Sequence, residues 1–139
     1  MILAALPLLL APVLAYAALI AAWGGWTGAH AHERLGAPLA QFAGSGGAVF
    51  SVSAADLLLA LALVTAFLDL MRSGRDRRAA LINHAFSVGL FCACLAGLFT
   101  MPGFQTSTFV LISLMVLLDL AAGLMSALGL AREGDALGR

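Results

Sequence analysis

The sequence predicts an all-α integral membrane protein: a four-helix bundle that forms a single transmembrane domain, with both termini in the cytoplasm. Three observations lead to this prediction. Hydrophobic residues make up 63% of the 139 residues and charged residues only 10%, whereas a soluble domain is about 45–50% apolar and about 25% charged. The chain contains several apolar runs of about the length that crosses a bilayer. Its arginines are concentrated on one side of the predicted membrane.

The same composition excludes several classes of function. The formal net charge is zero at pH 7, so no electrostatic argument predicts nucleic acid as a partner. Cys92 and Cys94 are two residues apart on a predicted helix, where they point in directions about 200° apart and cannot form a disulfide. The sequence has no phosphate-binding glycine loop, nucleophile elbow, HExxH or CxxC motif. We therefore predict that the protein is not an enzyme.

The first predicted span covers about residues 1–22. Trp23 and Trp26 follow it directly, as is typical of the aromatic belt at a membrane interface. Pro12 removes one backbone donor and predicts a kink near Leu8. No Lys or Arg precedes the run, so we interpret it as a retained transmembrane helix rather than a signal peptide.

The second predicted span covers about residues 54–71. Ser53 and Asp56 precede and open it with the spacing of a capping box, which predicts the start of a helix. A group of arginines beginning at Arg72 closes the run. Asp56 is therefore explained by its place at a helix N-terminus.

The third and fourth predicted spans cover about residues 79–99 and 104–130, and a turn containing Pro102 separates them. The fourth run is long enough to tilt or to project beyond the bilayer. The largest loop, residues 23–52, is predicted on the outer face. Around Gly44–Gly47 it has no pattern typical of a helix or strand, which predicts a flexible segment.

Topology follows from the arginines. With four spans, six of the seven lie on the same side as both termini: Arg72, Arg75, Arg77, Arg78, Arg132 and Arg139. Arg34 lies on the opposite side. The positive-inside rule then predicts a multi-pass protein of a bacterial-type inner membrane, with both termini in the cytoplasm.

A small set of polar residues lies inside the predicted spans. Asp119 is near the middle of the fourth run, where an Asp costs about 2.5–3.5 kcal/mol on insertion scales. Asp69 lies near the end of the second run, and Asn83 and His84 open the third, with Ser87 one turn along. Antiparallel pairing of the runs brings these residues to similar depths. The sequence leaves two interpretations open: a buried polar network that holds the helices together, or a proton or ion relay.

Small residues at four-residue spacing predict a helix-packing face, because small side chains let another helix approach closely. Its members are Ala85, Gly89, Ala93 and Gly97 in the third run, with Gly123 and Ala127 in the fourth. The partner is either another helix of the same bundle or a helix of a second chain.

The predicted outer loop contains three side chains of types that bind zinc or copper, namely His30, His32 and Glu33. A structural site usually needs four ligands, and a solvated loop is the alternative interpretation. We predict no cofactor, although a lipid, quinone or pigment between the helices is left open.

Few ionisable groups and the small-residue face favour a non-catalytic accessory, assembly or structural subunit of a larger membrane complex. The expected partners are the lipid bilayer and either other membrane subunits or further copies of the chain. One alternative is a small transporter, channel or proton relay that uses Asp119 with His84 or Asp69. Another is a carrier of a quinone, carotenoid or lipid.

Overall fold

The computed structural model shows a mostly helical chain with one small two-stranded sheet. The structure describes residues 8–24, 28–43, 49–72 and 77–137. Within those ranges, the side chains of Ala29, Arg72, residues 77–83 and residues 126–137 are not described. Two predicted site residues, Asn83 and Ala127, therefore belong to helices while their side chains lie outside the described part of the chain.

Helices and strands follow in this order: α1 (Leu10–Ala22), α2 (Gly28–Gly36), β1 (Pro38–Ala43), β2 (Val49–Ser53), α3 (Ala54–Arg72), α4 (Arg77–Thr100), a 3-10 turn (Pro102–Phe104) and α5 (Ser107–Leu137). Four of the five α-helices fall on the four apolar runs of the sequence. The fifth, α2, lies between the first and second runs.

Two helices are long and apolar enough to cross a membrane, judged by length and composition over the described residues. They are α3, over Ala54–Met71, and α5, over Ser107–Met125. Over the described residues, the apolar parts of α1 and α4 are shorter, at Leu10–Ala22 and His84–Thr100. The prediction of a helical protein with apolar helices is therefore confirmed, but the fold is not all-α, because β1 and β2 form a two-stranded sheet. The four-helix membrane bundle stays a prediction.

Helix α5 occupies the centre of the bundle. It packs on α3 on one side and on α4 on the other, and α1 packs mainly on α3. Neighbours are antiparallel: Leu9, at the start of α1, contacts Asp69, near the end of α3. The buried core includes Ile20, Leu58, Leu90, Ile112 and Val116, which come from all four of these helices.

The start of α3 contains the predicted capping box. The backbone N–H of Ser53 donates a hydrogen bond of 2.8 Å to Oδ2 of Asp56. In return, the backbone N–H of Asp56 donates one of 3.3 Å to Oγ of Ser53. These reciprocal bonds satisfy donors that a helix start leaves unpaired, and so they fix where α3 begins.

The predicted outer loop, residues 23–52, contains one helix and two strands within its described residues, whereas the predicted flexible segment Gly44–Gly47 lies outside them. Helix α2 buries Ala31 and Leu35, four residues apart, against the rest of the protein, which is the spacing of one helix face. Strands β1 and β2 pair antiparallel as a hairpin. Both strands are short and exposed on most residues, so neither shows the alternation that marks a half-buried strand.

Candidate functional site

Four polar side chains from α3, α4 and α5 are linked by one hydrogen bond and by electrostatic interactions. They are Asp69, His84, Ser87 and Asp119, here called the carboxylate cluster. The hydroxyl of Ser87 donates a hydrogen bond of 3.3 Å to Oδ2 of Asp119. Asp119 lies within electrostatic range of both Asp69 and His84. Asp119 thus has a hydroxyl donor as a hydrogen-bond partner, and a second carboxylate and an imidazole within electrostatic range.

Asp69 connects α3 to the start of α1. Its Oδ2 accepts a hydrogen bond of 3.2 Å from the backbone N–H of Leu9. Leu9 is the N-cap residue of α1, and no side chain within α1 caps that end. The first N–H groups of a helix lack partners within the helix and carry partial positive charge. Asp69 therefore acts as an N-cap supplied by a neighbouring helix.

Gly123 lets His84 lie against α5. A Cβ atom placed on Gly123 would be 2.9 Å from Nδ1 of His84 and 3.4 Å from Cε1. A side chain at this position would displace the imidazole. The sequence assigns Gly123 to a helix-packing face, and in the structure its close neighbour is a side chain of the same chain.

The structure brings together three of the four residues that the sequence groups by depth: Asp69, His84 and Asp119. The side chain of the fourth, Asn83, lies outside the described residues. Sequence reasoning missed the backbone N–H of Leu9, because its need for a partner becomes visible only once the start of α1 is known.

The predicted packing face of α4 divides into two parts. Gly97 lies against the ring of Phe104, at 3.5 Å from a built Cβ atom. Ala85, Gly89 and Ala93 are exposed, and a Cβ atom on Gly89 would meet nothing within 4 Å. With their exposed neighbours they form what we call the α4 small-residue face: Ala85, Gly89, Cys92, Ala93 and Ala96. This face is not used by the described residues of the same chain.

The outward sides of α3 and α5 have a different composition. Their exposed residues are large and apolar, among them Leu57, Leu61, Leu63, Val64, Phe67, Leu111, Leu114, Leu118 and Met125. Exposed small residues are therefore more frequent on α4 than on α3 and α5, where Ala60 and Ala121 are exposed; α1 also exposes Ala11, Ala18, Ala21 and Ala22.

A second polar group lies at the opposite end of the bundle and is here called the hydroxyl–aromatic cluster. The hydroxyl of Tyr16 donates a hydrogen bond of 2.9 Å to the carbonyl of Gly103 and lies 2.6 Å from Oγ1 of Thr106. Thr106 in turn accepts the backbone N–H of Phe109 at 3.2 Å, as an N-cap of α5 does. The rings of Tyr16, Phe104 and Phe109 pack with centroids 4.7–5.5 Å apart.

The sequence contains one signal for this second cluster. Tyr16 is the single tyrosine of the chain and stands inside an apolar run. A buried tyrosine usually finds a hydrogen-bond partner for its hydroxyl. The identity of the partner depends on how α1 packs against the turn before α5.

The candidate metal ligands His30, His32 and Glu33 are all exposed on α2. Over the residues that the structure describes, no three or more His, Cys, Asp or Glu side chains are grouped so that they can hold a metal ion. On a helix, residues two apart point away from each other, which explains why the two histidines do not converge.

No protein-family model, no curated protein and no solved structure matches this chain. Functional inference therefore rests on the residues and their geometry.

Proposed function

We propose that this chain is a small multi-pass membrane protein that acts as a non-catalytic accessory or assembly subunit. In this proposal α1, α3, α4 and α5 all cross the bilayer, and α4 binds a transmembrane helix of another subunit. The arginine distribution of the sequence supports a cytoplasmic position of both termini in a bacterial-type cell. The observation that carries the proposal is the unused α4 small-residue face.

The exposed surfaces of α3 and α5 support a membrane location. Only 28% of each apolar window is buried within the protein, whereas the core helix of a soluble protein is mostly buried. Leu63 is 62% exposed and Leu118 is 69% exposed, in company with many other large apolar side chains. Contiguous apolar surface of this extent is unfavourable in water and favourable against lipid tails.

The α4 small-residue face supports binding of a further helix. Lipid tails are as apolar as leucine, so association of helices in a membrane depends on close packing rather than on the hydrophobic effect. Small side chains allow that packing because two backbones can approach closely. The open space in front of Gly89 leaves room for a second helix.

Native mass spectrometry after gentle detergent extraction tests the proposal. We expect the wild-type chain to be recovered with a partner subunit or as an oligomer. Gly89→Leu should abolish the association without unfolding the chain, because the site of Gly89 contacts nothing within it. Val88→Leu is the matched control, since Val88 is a neighbouring exposed residue outside the face. Recovery of the wild type only as a lone monomer, or an unaffected Gly89→Leu complex, would contradict the proposal.

A second candidate function is a proton relay, and the proximity of Asp69, His84 and Asp119 favours it. Ionisable residues inside a membrane are costly and often mark proton pathways. The test is proton flux into liposomes that contain the purified chain. Loss of flux in Asp119→Asn supports the relay, and equal flux in the wild type and the variant removes Asp119 from any such mechanism.

A further inference from the structure

We propose that the β1–β2 hairpin lies flat at the boundary between the lipid headgroups and the acyl chains, with one apolar face turned toward the lipid. The face consists of Ala40, Phe42, Phe50 and Val52. The inference rests on the proposed function in one respect, namely that α3 crosses the bilayer. The ligand is a lipid surface rather than another protein.

The strand register makes the hairpin two-sided. Phe42 pairs with Phe50 and Ala40 with Val52. Directly paired residues point to the same side of a sheet, and residues two apart on a strand do so as well. All four side chains therefore share one face, which carries both phenylalanine rings, while the other face carries the polar pair of Gln41 and Ser51 beside the smaller apolar pair of Ala43 and Val49.

The apolar face is uncovered. Phe42 is 58% exposed and Phe50 is 66% exposed. No charged residue occurs between Arg34 and Asp56, so nothing in this stretch opposes contact with an apolar medium. Two aromatic side chains standing side by side on an uncharged hairpin are unfavourable in water, and aromatic residues are enriched at membrane interfaces.

The position of the hairpin in the fold matches this boundary. Strand β2 ends at Ser53 and α3 begins at Ala54, without an intervening linker. Since α3 is apolar after Asp56 in its first turn, with Leu57 and Leu61 exposed, the hairpin adjoins the point where the helix enters the bilayer. The lipid-facing surface of α3 and the apolar face of the hairpin are thus neighbours along the chain.

The sheet itself limits how deep the hairpin lies. It has two strands, and within the described residues each strand pairs only with the other. The outer edges then present backbone N–H and C=O groups that need water or another strand. Such groups are too costly to place in the hydrocarbon core, whereas the headgroup region provides water. A strand from a second copy is the competing occupant of an open edge.

Tryptophan fluorescence of the full chain in vesicles of phosphatidylcholine and phosphatidylglycerol tests the inference. Trp23 and Trp26 are first replaced by Phe, and one tryptophan is then introduced as Phe50→Trp. We expect emission at shorter wavelength than in water and loss of fluorescence with lipids brominated near the headgroup end of the acyl chain. Lipids brominated near the terminal methyl should have less effect, because the hairpin is shallow.

Two further variants separate the possible outcomes. Ser51→Trp, on the opposite face, should be quenched by aqueous iodide and hardly by brominated lipids. Leu63→Trp on α3 should be quenched by deep bromines, and its failure to be quenched would contradict the proposed span rather than the hairpin. If Leu63→Trp is quenched and Phe50→Trp is not, the hairpin does not contact lipid. Protection of both Phe50→Trp and Ser51→Trp from iodide without lipid quenching, together with cross-linking between copies, would indicate strand pairing and overturn the inference.

Discussion

The two polar clusters of the bundle both supply hydrogen bonds among apolar helices, but they do so with different chemical groups. The hydroxyl–aromatic cluster uses neutral groups: the Tyr16 hydroxyl is bonded at 2.9 Å and 2.6 Å and is enclosed by Phe104 and Phe109. The carboxylate cluster uses ionisable groups, and its hydrogen bonds to Asp69 and Asp119 are longer, at 3.2 Å and 3.3 Å. Both join helices that are distant in sequence.

The difference indicates which cluster can change state. A neutral hydroxyl with carbonyl and hydroxyl partners gains nothing from a change in its protonation, so the hydroxyl–aromatic cluster fits a purely structural role. Two carboxylates repel each other when both are ionised, and each attracts a nearby histidine when that histidine is protonated. The carboxylate cluster therefore combines a structural contact, the N-cap on α1, with groups able to gain or lose protons.

The largest expected loss of stability comes from aromatic packing in the hydroxyl–aromatic cluster rather than from any polar contact. Phe109 is 1% exposed and touches both other rings of its cluster. We expect Phe109→Ala to lower the free energy of unfolding by about 3–5 kcal/mol, as for other buried aromatic truncations. This loss is measured by unfolding the purified chain in mixed micelles with increasing amounts of a denaturing detergent. Phe99→Ala is the control, because Phe99 is 79% exposed, and a change there should stay within about 0.5 kcal/mol. Equal losses in both variants would show that the ring cluster is not a packing centre.

The N-cap role of Asp69 gives the next largest effect. Asp69→Ala removes the acceptor for the Leu9 N–H and should cost about 1–2 kcal/mol in the same unfolding assay, as for other lost caps. Asp69→Asn keeps an acceptor oxygen and should cost less. If Asn is as harmful as Ala, the negative charge rather than the hydrogen bond stabilises the start of α1.

The smallest effects compare one hydrogen bond from each cluster directly. Tyr16→Phe keeps the ring and removes two short contacts of the hydroxyl, which should cost about 1 kcal/mol. Ser87→Ala removes one contact of 3.3 Å and should cost about 0.6 kcal/mol, the average measured for hydrogen bonds between transmembrane helices. Unfolding titrations of the two single variants measure both losses. A larger loss for Ser87→Ala would mean that the carboxylate cluster is the more important structural joint.

The sequence accounts for much of the helical architecture. Four apolar runs give the four longer helices, and the spacing of Ser53 and Asp56 gives the start of α3. Depth matching of antiparallel runs predicts that Asp69, His84 and Asp119 lie near one another, and Asp119 is within electrostatic range of the other two. These features are local or depend only on chain direction, which is why the pattern of residues reveals them.

Other features depend on contacts that no local pattern encodes. The hairpin pairs short strands whose residues are exposed on both sides, so periodicity gives no signal for it. The small residues of α4 have ideal packing spacing, yet Gly97 turns toward Phe104 while Gly89 faces open space. Spacing identifies a stripe on a helix, but not the direction in which the helix presents it.

By itself, the sequence determined that this protein is helical and apolar, where its main helices run, and which few polar residues stand inside them. Hydrophobicity and capping are properties of short segments, so they can be read along the chain. The tertiary structure alone decided that Asp69 caps α1, that His84 rests on Gly123, and that the outward side of α4 is left uncovered. Each of these depends on how two helices are rotated about their axes, which is fixed by the packing of all helices together.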